Sequence, residues 1–228
     1  MRAMKKNRES KSAARCGAFT LIELLVVISI IAILAAFTVP VMRTLKIRQY
    51  ESHAQAELAQ LETAIDSYKA ARGFYPPDSP NTLVNQLYYE LVGTTNNGTS
   101  YVTLDGSAQI TAANVPNAFP GVNAFINCSK PGSGEDSPAG RNFLPDLKPQ
   151  QYGSFTNNSV QITVLASSVG GPDQSGLVVG GLNPWRYNSS SPTNNPGSYD
   201  LYVQLSIGGK KYLICNWTKQ AQVNNPLP

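Results

Sequence analysis

The stretch GAFTLIELLVV, residues 17–27, decides the fold expected of this chain, because it places one carboxylate at the start of a long apolar run. The carboxylate belongs to Glu23, and the nineteen residues from Leu24 to Met42 carry no charge. A run of this length crosses, or nearly crosses, a hydrocarbon layer of roughly 30 Å. An ionised carboxylate costs on the order of 3 kcal/mol inside a membrane helix, so it is usually kept for a partner or a task. We therefore expect a membrane-length helix in which Glu23 has a function.

Charge is distributed unevenly along the chain. The first eighteen residues hold six of the 18 basic residues and one of the 14 acidic residues, which leaves 12 basic and 13 acidic residues for the rest. The formal net charge of +4 therefore gives no support to nucleic-acid binding. Lys and Arg beside a membrane span stay in the cytoplasm, so we expect everything after about Met42 to lie outside it.

A basic segment, residues 1–18, followed by Phe-Thr-Leu-Ile-Glu and an unbroken aliphatic helix resembles the class III signal of the type IV pilin and type II secretion pseudopilin superfamily. The resemblance implies that a prepilin peptidase removes this leader on the cytoplasmic side and methylates the new amine of Phe19. It also implies an inner-membrane protein with a single span, whose later domain lies outside the cytoplasm and enters an extracytoplasmic filament.

The cleavage site follows from the spacing that the family shows. Cleavage after Ala18 makes Glu23 the fifth and Pro40 the twenty-second mature residue, which are the family's positions for glutamate and helix proline. Cleavage after Gly17 would shift both by one. The family usually has Gly before the cut, so Ala18 is a departure, although a small side chain should fit a peptidase site.

Two other interpretations of the N-terminal segment stay open from the sequence. One is an ordinary secretory signal that is removed near Ala35-Ala36. The other is an uncleaved anchor with one membrane span. An acidic residue at the head of the apolar run and the length of that run both argue against the secretory signal.

Assembly is the chemistry that the resemblance implies for Glu23. In a pilin-like filament the apolar helices pack in a central bundle, where a carboxylate needs a countercharge. The amine of Phe19 would supply it, from an adjacent subunit or from the same chain. The alternative is that Glu23 serves only peptidase recognition or membrane seating. The implied partners are copies of this chain, other pseudopilins, the prepilin peptidase, the inner-membrane assembly platform and the membrane.

The helical pattern continues beyond Pro40 with a different surface. Apolar residues recur at intervals of three and four, as on one face of a helix. They are Ile47, Tyr50, Ala54, Leu58, Leu61, Ile65 and Tyr68. We expect one helix of about fifty residues, with a transmembrane or filament-core half at 19–42 and an amphipathic half at 43–72. Pro40 predicts a kink, and Gly73 with the following prolines predicts the end of the helix.

Residues 73–228 predict a small antiparallel β-sheet domain with long loops, so the fold class is α+β and pilin-like. Two hairpins are expected, with Tyr101–Leu104 and Ala108–Ile110 around Asp105-Gly106, and Ser198–Ile207 and Lys210–Trp217 around Gly208-Gly209. Further expectations are a strand at Val160–Ala166, a short helix at Thr82–Val92, and irregular segments at Ser129–Gly140 and after Gln220.

Three short segments are similar to the G-type major pseudopilin. They are Gly73-Phe74-Tyr75-Pro76, Asn183-Pro184-Trp185 with Tyr187, and Tyr199-Asp200-Leu201-Tyr202. The chain departs from that subunit where calcium would bind, since Val203-Gln204-Leu205 follows the last segment and Lys210 stands where a second carboxylate belongs. A hard cation needs several oxygens and more than one negative charge. We therefore expect no cofactor. Calcium is the one ion for which the resemblance leaves a possible site.

The cysteines allow a disulfide outside the cytoplasm. Cys16 leaves with the leader, and Cys128 and Cys215 remain where disulfides persist. We expect these two to be bridged. The alternative, two separate buried thiols, stays open because spacing does not decide it.

No motif for catalysis or metal binding stands out. His53 is the only histidine and lies on the polar side of the long helix, where a solvated surface role is expected. The chain has no Walker loop, no His-Glu-x-x-His and no Gly-x-Ser-x-Gly. We expect a non-enzymatic subunit of a type II secretion-like pseudopilus. The alternatives are a type IV pilin for adhesion, motility or DNA uptake and, from another class, a membrane-anchored binding domain or hydrolase.

Overall fold

The computed structural model describes residues 19–130, 139–171 and 180–228. The chain forms two compact units, Met1–Leu45 and Lys46–Pro228. A long helix, α1, runs from Leu21 to Arg72 and so contributes to both units. The second unit adds short helices and sheets, which confirms the expected α+β class: a helix followed by sheets.

The second-unit part of α1 buries one face. Its buried residues recur at three- and four-residue intervals, as predicted. They are Ala54, Leu58, Leu61, Ala64, Ile65 and Tyr68. Ile47 and Tyr50 are partly buried against the same core, so the whole predicted apolar face is confirmed. The helix ends at Arg72, directly before Gly73, where the sequence predicted its end.

Two short helices and a set of strands follow α1. The helices are α2, Leu87–Val92, and α3, Val115–Ala118, which a 3₁₀ turn at Ala112–Asn114 precedes. The strands are β1 Thr94–Asn96, β2 Ser100–Thr103, β3 Gln109–Thr111, β4 Cys128–Ser129, β5 Tyr152–Asn157, β6 Val160–Ser167, β7 Asn183–Pro184, β8 Arg186–Asn188, β9 Asp200–Ile207, β10 Lys210–Cys215 and β11 Thr218–Val223. Of the helix predicted at Thr82–Val92, only the last six residues are helical. The preceding segment forms bends instead.

The described residues form three sheets, with strand orders β3-β2-β1-β4, β11-β10-β9-β8 and β5-β6-β7. Strand pairs in the last two are antiparallel. In the first sheet, β1 pairs with β4 in parallel, with Thr94 opposite Cys128. The expectation of a purely antiparallel domain is corrected here, because the segment from β3 to β4 returns the chain to the far side of β1.

The two predicted hairpins are present. Ile207 pairs with Lys210, so Gly208-Gly209 is a two-residue turn, and both glycines have positive φ values of 59° and 81°, as such turns require. In the other hairpin Val102 pairs with Gln109, and the connection is longer than the predicted two-residue turn at Asp105-Gly106. Here the Thr103 amide donates to the Ala108 carbonyl at 2.9 Å and closes a wider loop.

The remaining predictions of strands and irregular segments have different outcomes. β6 confirms the strand predicted at Val160–Ala166. The segment after Gln220 was predicted to be irregular, and this is wrong up to Val223, because β11 pairs with β10. Part of the predicted loop Ser129–Gly140 lies outside the described residues.

The expected disulfide is not formed. Cys128 and Cys215 are both free thiols and both buried. Cys128 lies in the main apolar core, whereas Cys215 belongs to a second cluster with Tyr202 and Leu213, so the two sulfurs pack in different places. The structure therefore shows the alternative of two separate buried thiols.

Candidate functional site

The first unit presents an apolar surface that nothing in its described part covers. The large apolar side chains from Phe19 to Leu34 are between 45% and 82% exposed. Burial of apolar surface stabilises a protein by roughly 25 cal/mol per Å². A helix with this much exposed apolar surface is therefore stabilised by contact with an apolar environment. This exposed surface makes residues 19–36 a candidate site of interaction.

Glu23 lies at the beginning of this surface and completes a capping box. Its Oε2 accepts hydrogen bonds from the backbone N–H of Thr20 at 2.8 Å and from the Thr20 hydroxyl at 2.7 Å. In return, the amide of Glu23 donates to Oγ1 of Thr20 at 3.3 Å. This reciprocal pair satisfies donors that the first turn of a helix leaves free. The carboxylate is thus held at the helix N-terminus by Thr20, the residue that directly follows Phe19.

The capping box is a functional feature that the sequence analysis missed. Its signal, Thr followed three residues later by Glu directly before an apolar run, is present in residues 20–23. Phe19, Ile22, Glu23, Val26 and Val27 also line one open, almost wholly apolar hollow. Glu23 is therefore the one polar residue among those that line this hollow.

The other predicted residues of the N-terminal site have different outcomes. Gly17 and Ala18 lie outside the described residues. α1 continues through Pro40, and the kink there stays a prediction. Among the described residues, we find no helix with both the length and the hydropathy that a membrane span requires. The transmembrane assignment of residues 19–42 is thus unconfirmed.

The three segments that resemble the G-type pseudopilin converge in space. The Tyr75 and Tyr199 ring centroids are 5.0 Å apart, and those of Tyr187 and Tyr199 are 5.7 Å apart. The Tyr187 hydroxyl donates to the carbonyl of Pro76 at 2.8 Å. Trp185, which is 1% exposed, donates its amide to the Leu165 carbonyl. The resembling residues are thus one structural cluster that joins the end of α1 to the sheet β8–β11.

Asp200, the residue closest to the family's calcium segment, already has hydrogen-bond partners. Its carboxylate accepts the backbone amides of Thr193, Asn194 and Asn195 at 2.8 to 2.9 Å. These donors occupy the lone pairs that a cation would need. Among the residues that the structure describes, no group of three or more His, Cys, Asp or Glu side chains is placed to hold a metal ion.

His53 lies in a polar cluster between α1 and the end of β6. Its Nδ1 is 3.5 Å from Oε1 of Glu57 and 3.5 Å from Oγ of Ser168. Glu57 is 4% exposed and also accepts the hydroxyls of Ser167 and Ser168. In a catalytic triad the two ring nitrogens divide the acid and the nucleophile between them. Here one nitrogen faces both, so the cluster lacks the geometry of a hydrolase triad.

A second buried carboxylate was also missed from sequence. Glu90 on α2 is fully buried and accepts the amides of Ile126 and Asn127 and the hydroxyl of Tyr68, at 2.8 to 3.0 Å. Burial raises the pKa of this carboxyl, and the hydrogen bonds oppose that rise. Arg72 at the end of α1 donates to Oδ1 of Asn127 at 2.7 Å, so the network joins α1 to the residue directly before β4.

Comparison with known families adds one finding. Residues 13–39 match the family model described as the prokaryotic N-terminal methylation motif, the signal of type IV pilins and pseudopilins. No curated protein and no solved structure matches the chain. The match covers the predicted cleavage site, Phe19, Glu23 and the exposed apolar helix. It indicates a pilin-like or pseudopilin protein that is exported and associated with a membrane.

Proposed function

We propose that this chain is a structural subunit of a pilin-like filament, the pseudopilus of a type II secretion-like system. The observation that carries the proposal is the match of residues 13–39 to the N-terminal methylation motif on a helix whose apolar side chains are exposed. In this proposal the prepilin peptidase cuts after Ala18 and methylates Phe19. The inner membrane holds the subunit until the assembly platform adds it to copies of itself and to other pseudopilins.

The capping box suggests how Glu23 acts in assembly. Thr20 holds the carboxylate at the helix N-terminus, and leader removal creates an amine on the residue directly before Thr20. A buried carboxylate in the filament core needs this kind of countercharge. The amine of the same chain or of a neighbouring subunit fills that role.

The choice of a pseudopilus over an adhesive type IV pilus is supported by the cluster around Tyr75, Trp185, Tyr187 and Tyr199. It unites the segments that resemble the G-type subunit. The contacts of His53 through a single nitrogen favour a non-enzymatic subunit over a hydrolase.

The experiment is intact mass spectrometry of the chain extracted from membranes of cells that contain its assembly machinery. We expect a mature chain that begins at the N-methylated Phe19, together with its presence in the sheared filament fraction. A mature chain beginning near Thr38, or one that keeps Met1, would refute the pilin-like proposal. A filament that is built in cells lacking the secretion system would instead support a type IV pilus.

A further inference from the structure

An open groove of about 550 Å³ lies within the second unit, between α1 and the turn that joins β10 to β11. Gln55, Leu58 and Glu62 line it from the helix, and Trp217 and Lys219 line it from the turn. Leu58 and Trp217 give it an apolar floor and wall. The side chain of Gln55 donates to the carbonyl of Lys219 at 3.0 Å and so fixes the width of the groove at one point.

Glu62 is a half-buried carboxylate with no counter-ion in the described part of the chain. Burial raises the pKa of this carboxyl first, and the carboxylate of Asp66, one turn further along α1, raises it again. Nearby cations do not pair with it. The ammonium of Lys69 lies 3.9 Å from the centroid of the Tyr75 ring, and Lys219 forms no salt bridge within the described ranges.

A matching excess of positive charge occurs on the hairpin β9–β10. Lys210 and Lys211 follow the turn Gly208-Gly209, and both side chains are exposed. Neither ammonium forms a salt bridge within the described residues. The backbone of Lys211 is fixed by Asn224, whose amide donates to the Lys211 carbonyl at 2.8 Å. The hairpin thus presents two unpaired cations on a rigid turn.

The groove and the hairpin lie at opposite ends of one strand. Lys210 begins β10, and Cys215, which lines the groove, ends it. Lys211 and Cys215 are four residue steps apart, about 14 Å along the strand, so the hairpin of one chain does not reach its own groove along β10. Two different patches at opposite ends of a sheet make a heterologous contact, which propagates into an open filament when the rotation does not close.

We propose that the groove lined by Glu62 and Trp217 receives the hairpin Gly208–Lys211 of a second copy of this chain. The stems of the lysines pack on Trp217 and Leu58, and an ammonium pairs with the carboxylates of Glu62 and Asp66. This contact rests on the proposed filament function and specifies which surfaces of the second unit meet in it.

The test is a charge swap in the full chain, made in cells that contain the assembly machinery. Glu62→Lys and Lys211→Glu are made singly and together, and subunit in the sheared filament fraction is compared with total leader-cleaved subunit. We expect each single reversal to lower the filament fraction at least about tenfold and the double variant to recover to within about threefold of wild type. Asp146→Lys, a reversal on an exposed loop, is the control. It should assemble normally and should not rescue Lys211→Glu.

A photoreactive phenylalanine analogue at position 217 gives a readout that does not depend on charge reversal. We expect crosslinked dimers in which the captured peptide contains residues 208–211. Single reversals that assemble like wild type, a double variant no better than the weaker single variant, or capture of a different peptide would overturn the contact. If the wild-type chain forms no filament, the proposed function is wrong. If filaments form and the charge reversals do not change the filament fraction, only the proposed contact is wrong.

Discussion

The two halves of α1 show how one helix can have two sources of stability. Before residue 37, its apolar side chains are exposed around the helix, and Ile28 is 55% exposed. After Lys46, one face is buried, and Ile65 is 0% exposed. The second half is stabilised by the core of its own unit. The first half carries the same kind of side chain, and no described residue covers it, so it lacks the stabilisation that a core gives.

The polar groups differ between the halves in the same way. The carboxylate of Glu23 in the first half is satisfied locally by Thr20, within one helical turn. The carboxylate of Glu57 in the second half accepts hydroxyls from β6 and the residue after it, more than a hundred residues away in sequence. The carboxylate of the first half is thus satisfied by its own helix cap, whereas that of the second half is satisfied by tertiary hydrogen bonds. We infer that variants of the first half affect assembly, whereas variants of the buried face of the second half affect folding.

The largest effect is expected for Glu23→Val. If its carboxylate pairs with an amine in the filament core, removing it leaves a buried charge unpaired, which costs about 3 to 5 kcal/mol. Leader cleavage should persist while the cleaved variant is strongly depleted from filaments, as measured by pelleting beside wild type. Glu23→Gln is the matched control, because Gln retains a capping acceptor but carries no charge. Wild-type assembly of the Gln variant would assign Glu23 to capping alone, and failure of cleavage would assign it to peptidase recognition.

A matched pair of substitutions tests the comparison on the helix itself. Ile65→Ala should lower the free energy of unfolding by about 2 to 5 kcal/mol, because it opens a cavity in the core. Ile28→Ala, at an exposed position, should change it by less than about 0.5 kcal/mol. Urea titration of the full chain in mild detergent measures both, since Trp185 and Trp217 report on the second unit. Equal losses for the two variants would show that the halves are not independent.

Periodicity predicted the helix well because α1 buries a regular face. The spacing from Ile47 to Tyr68 and the stop at Gly73 reproduce the observed burial and the end at Arg72. The turn Gly208-Gly209 was also predictable, because two glycines supply the positive φ values that a two-residue hairpin needs.

Long-range contacts were not predictable in the same way. Glu57 and Glu90 are charged residues that would be assigned to the surface, and only the hydroxyls and amides of distant segments make their burial possible. The parallel pairing of β1 with β4 likewise depends on the path of the chain between them. Cys128 and Cys215 looked like a pair because they were the only candidates, and their separation in two apolar clusters is a property of the fold.

Glu90 should make the stability of the second unit depend on pH. Its folded-state pKa is raised above the ordinary value of 4.5, chiefly by burial. The folded state therefore binds the proton more tightly than the unfolded state, so the free energy of unfolding should fall as pH rises from about 4.5 through the folded-state pKa. Glu90→Gln should flatten this slope. Urea titrations from pH 4 to pH 8 on both proteins measure it, and an unchanged slope in the variant would assign the dependence to other groups.

The smallest effect is expected when reductant is added. This experiment tests whether core packing or a disulfide crosslink stabilises the second unit. Both cysteines are free thiols, so dithiothreitol should leave the urea midpoint unchanged. A bridge closing a loop of nearly ninety residues would contribute roughly 4 to 5 kcal/mol, and its reduction would shift the midpoint visibly. Alkylation of the leader-cleaved chain in denaturant without reductant should label Cys128 and Cys215 together. A Cys215→Ala variant, in which only Cys128 should be labelled, calibrates the mass shift. Protein that stays unlabelled until it is reduced would show that Cys128 and Cys215 are bridged. A disulfide, and not core packing alone, would then stabilise the unit that contains the half-helix from Lys46 to Arg72.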